Sequence, residues 1–289
     1  MYNYNNMRIG FVANLKKDNA INASKLALES FIRHGISASI EDTLFFADKM
    51  FKNYENYNLD ELIEKNDIIA VAGGDGTILR AVKSCALKNK PVLGINIGKV
   101  GFLTEAEIDE LDYTSKALKN NQYTIEYRSM LGLLSGQSNV IALNEIVLLK
   151  EATARIINFD VYSNGNLIDS YNADGFIVST PTGSTAYSLS AGGPILSPAI
   201  KGLVLTPICS HSLRTRSIVI GEDETIEIKV NTVNPKAVLI ADGVPVSKFD
   251  LSKIIIAKHK IRAGFIKIKP SDFYKKLHTK LNNWSTNKE

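Results

Sequence analysis

Apolar residues come in short unbroken runs over the first third of the chain. RIGFVAN (8–14), DIIAVA (67–72) and PVLGINIG (91–98) each read as a buried strand, and GISASIED (35–42) as a shorter one. Between them the pattern changes to helical spacing. NASKLALESFIRHG (22–35) reads as a helix with Asn22 as its N-cap and Gly35 as its stop, LDELIEKN (59–66) is helical, and TILRAVKSCALK (77–88) is another helix. Strand alternating with helix predicts a parallel sheet covered by helices, a Rossmann-like α/β domain over residues 1–121.

Past residue 122 the texture changes. Strands shorten, alternate and meet at turns. ARIINFDVYSNGNLIDSYN centres on Asn164 and Gly165, a pair that supplies the positive φ values of a type I′ hairpin turn. TIEIKV (225–230), AVLIA (237–241) and KIIIAKHKIRAGFIKIK (253–269) continue the β-rich character, so residues 122–266 read as a second, all-β domain. SDFYKKLHTKLNNW (271–284) is helical, with Ser271 as a candidate cap. The segment 267–289 is expected to pack back on the first domain.

Composition narrows the class. The 289 residues are 45% hydrophobic, enough for two cores. No apolar run approaches the roughly 18 residues of a membrane span, and MYNYNNMRIG lacks the apolar centre of a secretory signal, so a cytoplasmic protein without a membrane partner is expected. Two distant cysteines, Cys85 and Cys209, form neither a CxxC motif nor a disulfide framework and are read as reduced. A net charge of +4 suits anionic ligands without demanding a polyanion. The basic stretch 267–284 reads as the coat of a helix, and nucleic acid is not expected as a partner.

The chemistry concentrates in two stretches. In VAGGDGTILRAV (71–82), glycines stand where a strand gives way to a helix. Glycine admits close backbone approach, the helix start offers free N–H groups to an anion, and the carboxyl end of a parallel strand is where open α/β sheets bind ligands. Asp75 is out of place in an anion site unless a metal bridges it to the phosphate or it serves a hydroxyl about to become a nucleophile. Phosphoryl transfer and a plain tight turn are both open on this motif alone. GINIGKV (94–100) has the wrong spacing for a P-loop, and neither HRD nor DFG occurs, which excludes the P-loop and protein-kinase designs. Phe102, in a second glycine loop, either flanks a base or ribose or belongs to the core.

The second stretch, NADGFIVSTPTGSTAYSLSAGGPI (172–195), crowds hydroxyls and glycines behind an apolar strand. Ser179, Thr180, Thr182, Ser184, Thr185, Ser188 and Ser190 offer donors and acceptors suited to a ligand with many polar edges, such as a nucleotide. Tyr187 is placed to stack on a base.

GGDGT (73–77), LNEIVL (143–148) and DGFIVSTPTGSTAYSLSAGGPI (174–195) together resemble bacterial NAD kinases in order and spacing over nearly the whole chain. GGDGT alone is shared with lipid kinases and phosphofructokinases; the third block is far more specific. The resemblance implies an α/β amino-terminal domain, a carboxyl-terminal β-sandwich domain, and an active site between them.

It also implies roles. Asp75 matches the catalytic aspartate acting on the 2′-hydroxyl of the adenosine ribose of NAD; Gly74, Gly76 and Arg80 match the substrate loop, Arg80 meeting phosphate. Asn144 and Glu145 match a pair that binds the dinucleotide, Asp174 a further polar contact, and Thr185, Ala186, Tyr187, Ser188, Leu189 and Ser190 the segment wrapped around it. Arg155 falls at the family's spacing for a residue reaching from a neighbouring subunit, in a dimer or tetramer. Asn172 stands where a basic residue is frequent, and Val244 where an amide is frequent, so those contacts are expected to differ.

The expected substrates are NAD and ATP, with Mg²⁺ or Mn²⁺ arriving on the triphosphate because no carboxylate cluster builds a cage for it. A lipid or sugar kinase sharing only GGDGT and a non-catalytic NAD(P) sensor are the rival readings.

Overall fold

The computed structural model describes residues 7–17, 19–98, 101–135, 140–152, 154–212, 214–232, 236–247, 249–270 and 273–286, with side chains through Asn282 in the last segment. Two compact units emerge. One runs through Tyr127 and resumes at Ala263; the other is Arg128–Arg262. The sequence pattern sets the junctions at 121/122 and 266/267. The observed ones fall inside strands, which is why no linker composition marks them.

The first unit alternates as β1 (Arg8–Ala13), α1 (Ala20–Arg33), β2 (Ser37–Glu41), α2 (Asp42–Ala47), β3 (Glu55–Tyr57), α3 (Leu59–Lys65), β4 (Ile68–Gly73), α4 (Asp75–Leu87), β5 (Val92–Asn96), β6 (Ala106–Glu107) and α5 (Leu111–Lys119). Its strands pair in parallel in the order β3-β2-β1-β4-β5, with β6 beside β5. β4 and the last five residues of β1 are wholly buried, as strands with helices on both faces must be. The chain runs outward from β1 to β2 and β3 on one side, then returns to β4 and β5 on the other. The reversal opens a crevice beyond the carboxyl ends of β1 and β4.

Two helix starts differ from the sequence-based expectation. Asn22 is not a cap: α1 begins at Ala20, after Asn19 in the left-handed conformation (φ 62), because Ala20 and Ala23 are drawn into the core. Helix α4 begins at Asp75 rather than Thr77, with Gly74 as N-cap, so the aspartate enters the first turn where the helix dipole favours a negative charge. The proposed cap Ser271 lies outside the described residues.

The second unit takes up the chain within β7 (Thr124–Leu133) and continues through β8 (Ile141–Ala142), β9 (Glu145–Lys150), β10 (Ile157–Ser163), β11 (Asn166–Ala173), β12 (Gly175–Ser179), the single turn α6 (Tyr187–Ser190), β13 (Gly202–Ile208), β14 (Ile218–Gly221), β15 (Ile226–Val230), β16 (Ala237–Ala241) and β17 (Val244–Pro245). The long β18 (Ile254–Lys267) then returns to the first unit, where α7 (Phe273–Thr286) closes the chain. One sheet is antiparallel with the order β14-β13-β12-β9-β16-β17, and the other contains β11-β10-β15-β18. Their inner faces share one core. Phe159 of β10 meets Phe176 of β12 edge-on at 5.7 Å, with Tyr171 stacked at 5.5 Å on Phe159. This is the expected sandwich, with one helical turn inserted. Asn164 (φ 48) and Gly165 (φ 82) form the predicted turn between β10 and β11.

Candidate active site

Within the first unit, the residues of GGDGT stand at the crevice. A cavity of about 420 Å³ is lined by Ala13 to Lys16 after β1, by Thr43, and by Gly76, Thr77 and Arg80 of α4. The N–H groups of Asp75 and Gly76, the first two of α4, have no intrahelical acceptor and lie where an anion is attracted, whereas the Thr77 N–H already bonds Gly74 O at 2.9 Å. Lys16 and Arg80 add positive charge to the lining.

Arg80 is not unattached. Its Nη2 donates to Glu41 Oε2 at 2.8 Å, and the Glu41 side chain is only 5% exposed while Arg80 is half-exposed. Thr43 Oγ1 donates to the same carboxylate oxygen at 3.0 Å. Glu41 therefore anchors one corner of the guanidinium, whose fork carries further N–H donors. Sequence pattern does not single out Glu41, because it sits at the end of β2, far from the glycine loop.

The Asp75 carboxylate turns away from its own helix. Its Oδ1 accepts the Leu103 N–H at 3.0 Å, and its Oδ2 accepts the Phe102 N–H at 3.1 Å and Lys280 Nζ at 2.7 Å. Phe102 lies 6.1 Å from Phe273 of α7, and Lys280 sits 4.2 Å above the Phe102 ring. The ring is half-buried against α7.

Within the second unit, Asn144, just before β9, and Glu145, its first residue, are held by an aspartate from a hairpin turn. Asp242 Oδ2 accepts the Leu143 N–H at 2.6 Å, and Oδ1 accepts those of Asn144 and Glu145 at 2.8 and 3.1 Å. Asp242 N–H donates back to Glu145 O at 3.1 Å. The Glu145 carboxyl is buried, and its Oε2 has no hydrogen-bond partner. Burial, helped by the nearby Asp242 charge, pushes its pKa up to about 8.

The hydroxyls behind β12 divide into two sets. Ser179, Thr180, Ser184 and Ser188 are fully buried. Thr180 Oγ1 donates to Leu143 O at 2.6 Å, Ser184 Oγ to Pro181 O at 2.7 Å, and Ser188 Oγ lies 3.0 Å from Thr206 Oγ1. These hydroxyls hold the loop to its own scaffold. Thr185, Ala186 and Leu189 are half-buried, and Tyr187 and Ser190 are exposed. Asp174 is paired with Lys150 Nζ at 3.7 Å, a cation from β9 that no sequence motif marks. Asn172 is exposed and accepts from Asn158 Nδ2 at 3.0 Å; Arg155 is exposed; Val244 is exposed on β17.

Residues 9–123 match the ATP-NAD kinase N-terminal domain, and residues 143–265 match the ATP-NAD kinase C-terminal domain. The chain belongs to the NAD kinase family. The NAD kinase of Caldanaerobacter subterraneus is 36% identical over 280 residues, covering 95% of this chain and 98% of that one. The NAD kinase of Carboxydothermus hydrogenoformans is 44% identical over 231 residues, 77% and 82% of the two chains.

Among solved structures, an NAD kinase from Archaeoglobus fulgidus in complex with ATP is similar with a TM-score of 0.76 at 30% identity, over 96% of this chain and 99% of that one. Yeast NADH kinase complexed with NADH shares the fold with a TM-score of 0.82 at 22% identity, over 98% of this chain and 89% of that one. Family membership accounts for the order of the three sequence blocks. It leaves Glu41, Lys150, Asp242 and Lys280 to be understood from their contacts. Among the described residues no group of three or more His, Cys, Asp or Glu is arranged to hold a metal ion, and no helix is long and apolar enough to cross a membrane.

Proposed function

We propose that this NAD kinase transfers the terminal phosphoryl group of ATP, carried with Mg²⁺ or Mn²⁺ as part of the donor substrate, to the 2′-hydroxyl of the adenosine ribose of NAD. The products are NADP and ADP. One observation carries the reading: Asp75 occupies the first position of α4, and Gly76 and Thr77 of the same turn line a crevice suited to an anion.

In this reading the phosphates meet the free N–H groups of α4, the guanidinium of Arg80 and Lys16. The backbone of Gly74 and Gly76 lets them approach, since a Cβ at either glycine would meet nothing within 4 Å. Asp75 orients the acceptor hydroxyl and takes its proton as the new O–P bond forms and the bond to ADP breaks. The transition state is loose, so alignment and charge compensation do most of the work.

The dinucleotide contacts are assigned residue by residue. Asn144 and Glu145 bind its base and ribose hydroxyls; at neutral pH a protonated Glu145 donates a hydrogen bond where a carboxylate can only accept. Asp174, Asn172, Phe102 and the run Thr185, Ala186, Tyr187, Ser188, Leu189 and Ser190 complete the contacts, with Ser188 acting through its bond to Thr206. Arg155 reaches the dinucleotide of a neighbouring copy in a homo-oligomer, and the reaction takes place in the cytoplasm.

Purified protein with Mg–ATP and NAD is expected to form NADP, read by coupled dehydrogenase absorbance. Asp75→Ala is expected to fold and to lose at least about two orders of magnitude in kcat, the lower range for general base catalysis. Turnover like that of the wild type in this variant removes Asp75 from the chemistry. A panel of lipid and sugar acceptors separates the rival kinases, and calorimetric NAD binding without ADP release identifies a sensor.

A further inference from the structure

Asp75 has more donors than a hydroxyl-binding carboxylate needs. As the first residue of α4 it stands beside free N–H groups of its own helix, yet its side chain makes no cap there. Two other segments hold it. The loop supplies the Phe102 and Leu103 N–H groups, and α7 supplies Lys280 Nζ at 2.7 Å.

The distribution over the two oxygens is unequal. A carboxylate oxygen accepts about two hydrogen bonds. Oδ2 already has two donors, an amide and the ammonium, whereas Oδ1 has the Leu103 N–H alone among these contacts. Beside Oδ1 the chain has Gly101, where an added Cβ would lie 2.4 Å from that oxygen. The open acceptor position is therefore on Oδ1.

We propose that Lys280 is a positioning residue for phosphoryl transfer: by filling Oδ2 from the terminal helix, it fixes the Asp75 carboxylate so that the acceptor hydroxyl must bind Oδ1. The inference rests on the role given to Asp75 above.

Anchoring of α7 does not depend on this contact. Lys276 Nζ, on the preceding turn, donates to Thr104 O, and Phe273 packs on Phe102. Just before the helix, Glu105 Oε1 accepts the N–H groups of Ile268 and Lys269 at 2.9 and 3.0 Å, and Lys267 Nζ donates to its other oxygen at 2.8 Å. The Lys280–Asp75 pair is partly exposed on both sides, at 22% and 26%, and pairs of that kind contribute little to stability. A purely structural role thus predicts almost no effect on rate. A positioning role predicts a large one.

The test compares Lys280→Met, Lys280→Arg, Asp75→Asn and the double variant Asp75→Asn/Lys280→Met in the full-length protein, with Mg–ATP and NAD. Lys280→Met is expected to lower kcat at least about tenfold while KM for NAD stays within about threefold, the split that marks loss of an interaction acting on the transition state. Lys280→Arg, which keeps the charge and the stacking over Phe102, is expected to recover most of the rate.

In the Asp75→Asn background, removing Lys280 is expected to cost less than about twofold, because residues acting as a unit are not additive. Thermal melting within a few degrees of the wild type shows that the variants fold. Unchanged kcat in a folded Lys280→Met overturns the inference, as does an equal tenfold loss in the Asp75→Asn background. Either can occur while Asp75→Asn keeps only a residual rate, at least about a hundredfold below the wild type, which leaves the assignment of Asp75 standing; a rate like that of the wild type in Asp75→Asn refutes that assignment instead.

Discussion

Replacing Glu145 with glutamine removes a carboxyl whose ionisation the fold opposes. In the unfolded chain it titrates near its ordinary value of 4.5; in the fold, burial and the Asp242 charge move that to about 8. Below about pH 4.5 both states hold the proton and the group is neutral to stability. Between the two values the unfolded chain releases the proton while the native state keeps it, so stability falls as pH rises, with the full penalty present above about pH 8.

At about 1.4 kcal/mol per tenfold change in proton activity, the interval corresponds to roughly 4–5 kcal/mol, and relaxation around the charge reduces that to an expected value of about 2–5 kcal/mol. Glutamine has nearly the same shape and no charge at any of these pH values. The stability difference between Glu145→Gln and wild type should therefore grow by that amount in favour of the variant from about pH 5 to about pH 9.

Urea unfolding followed by far-ultraviolet circular dichroism measures it. A difference that stays constant within about 1 kcal/mol over this range, or that moves the other way, refutes the burial argument.

Two further substitutions probe how Asn144 and Glu145 are held. Asp242→Asn replaces a carboxylate that accepts three consecutive N–H groups with an amide that offers donors of its own. A loss of about 2–4 kcal/mol in urea unfolding is expected, together with a downward move of the Glu145 titration; no loss means that this clamp carries little energy. At Gly183 an added Cβ would lie 2.2 Å from Asn144 O and 2.5 Å from its carbonyl carbon, both backbone atoms that cannot swing aside. Gly183→Ala is expected to cost about 2–3 kcal/mol and to raise KM for NAD at least about tenfold; wild-type values for both show that the loop can yield.

Much of the fold was legible in local pattern. The alternation of apolar runs with helical spacing marked out the α/β unit, because a strand buried on both faces has to be apolar throughout and its covering helices have to be amphipathic. The Asn164–Gly165 turn was legible because few residue pairs tolerate its two positive φ values. Helix starts were less so. The core's demand for Ala20 and Ala23 overrode Asn22 as a cap, and Asp75 entered α4 where Thr77 was expected.

The hydroxyl-rich block is polar by composition, but composition does not reveal which oxygens are bonded inside. Ser188 and Ser190 are the same residue type two positions apart, on different sides of α6: the first is buried against Thr206, the second is exposed.

By itself, then, the sequence determined the order of elements, the glycine loop with its single aspartate, and membership of a kinase family. Tertiary structure decided which charges meet. Glu41 lies 39 residues from Arg80, Asp242 lies 98 from Asn144, and Lys280 lies 205 from Asp75. Helical and strand periodicities reach only a few residues along the chain. Contacts across such separations exist only once the sheet order and the return of β18 and α7 have brought those segments together.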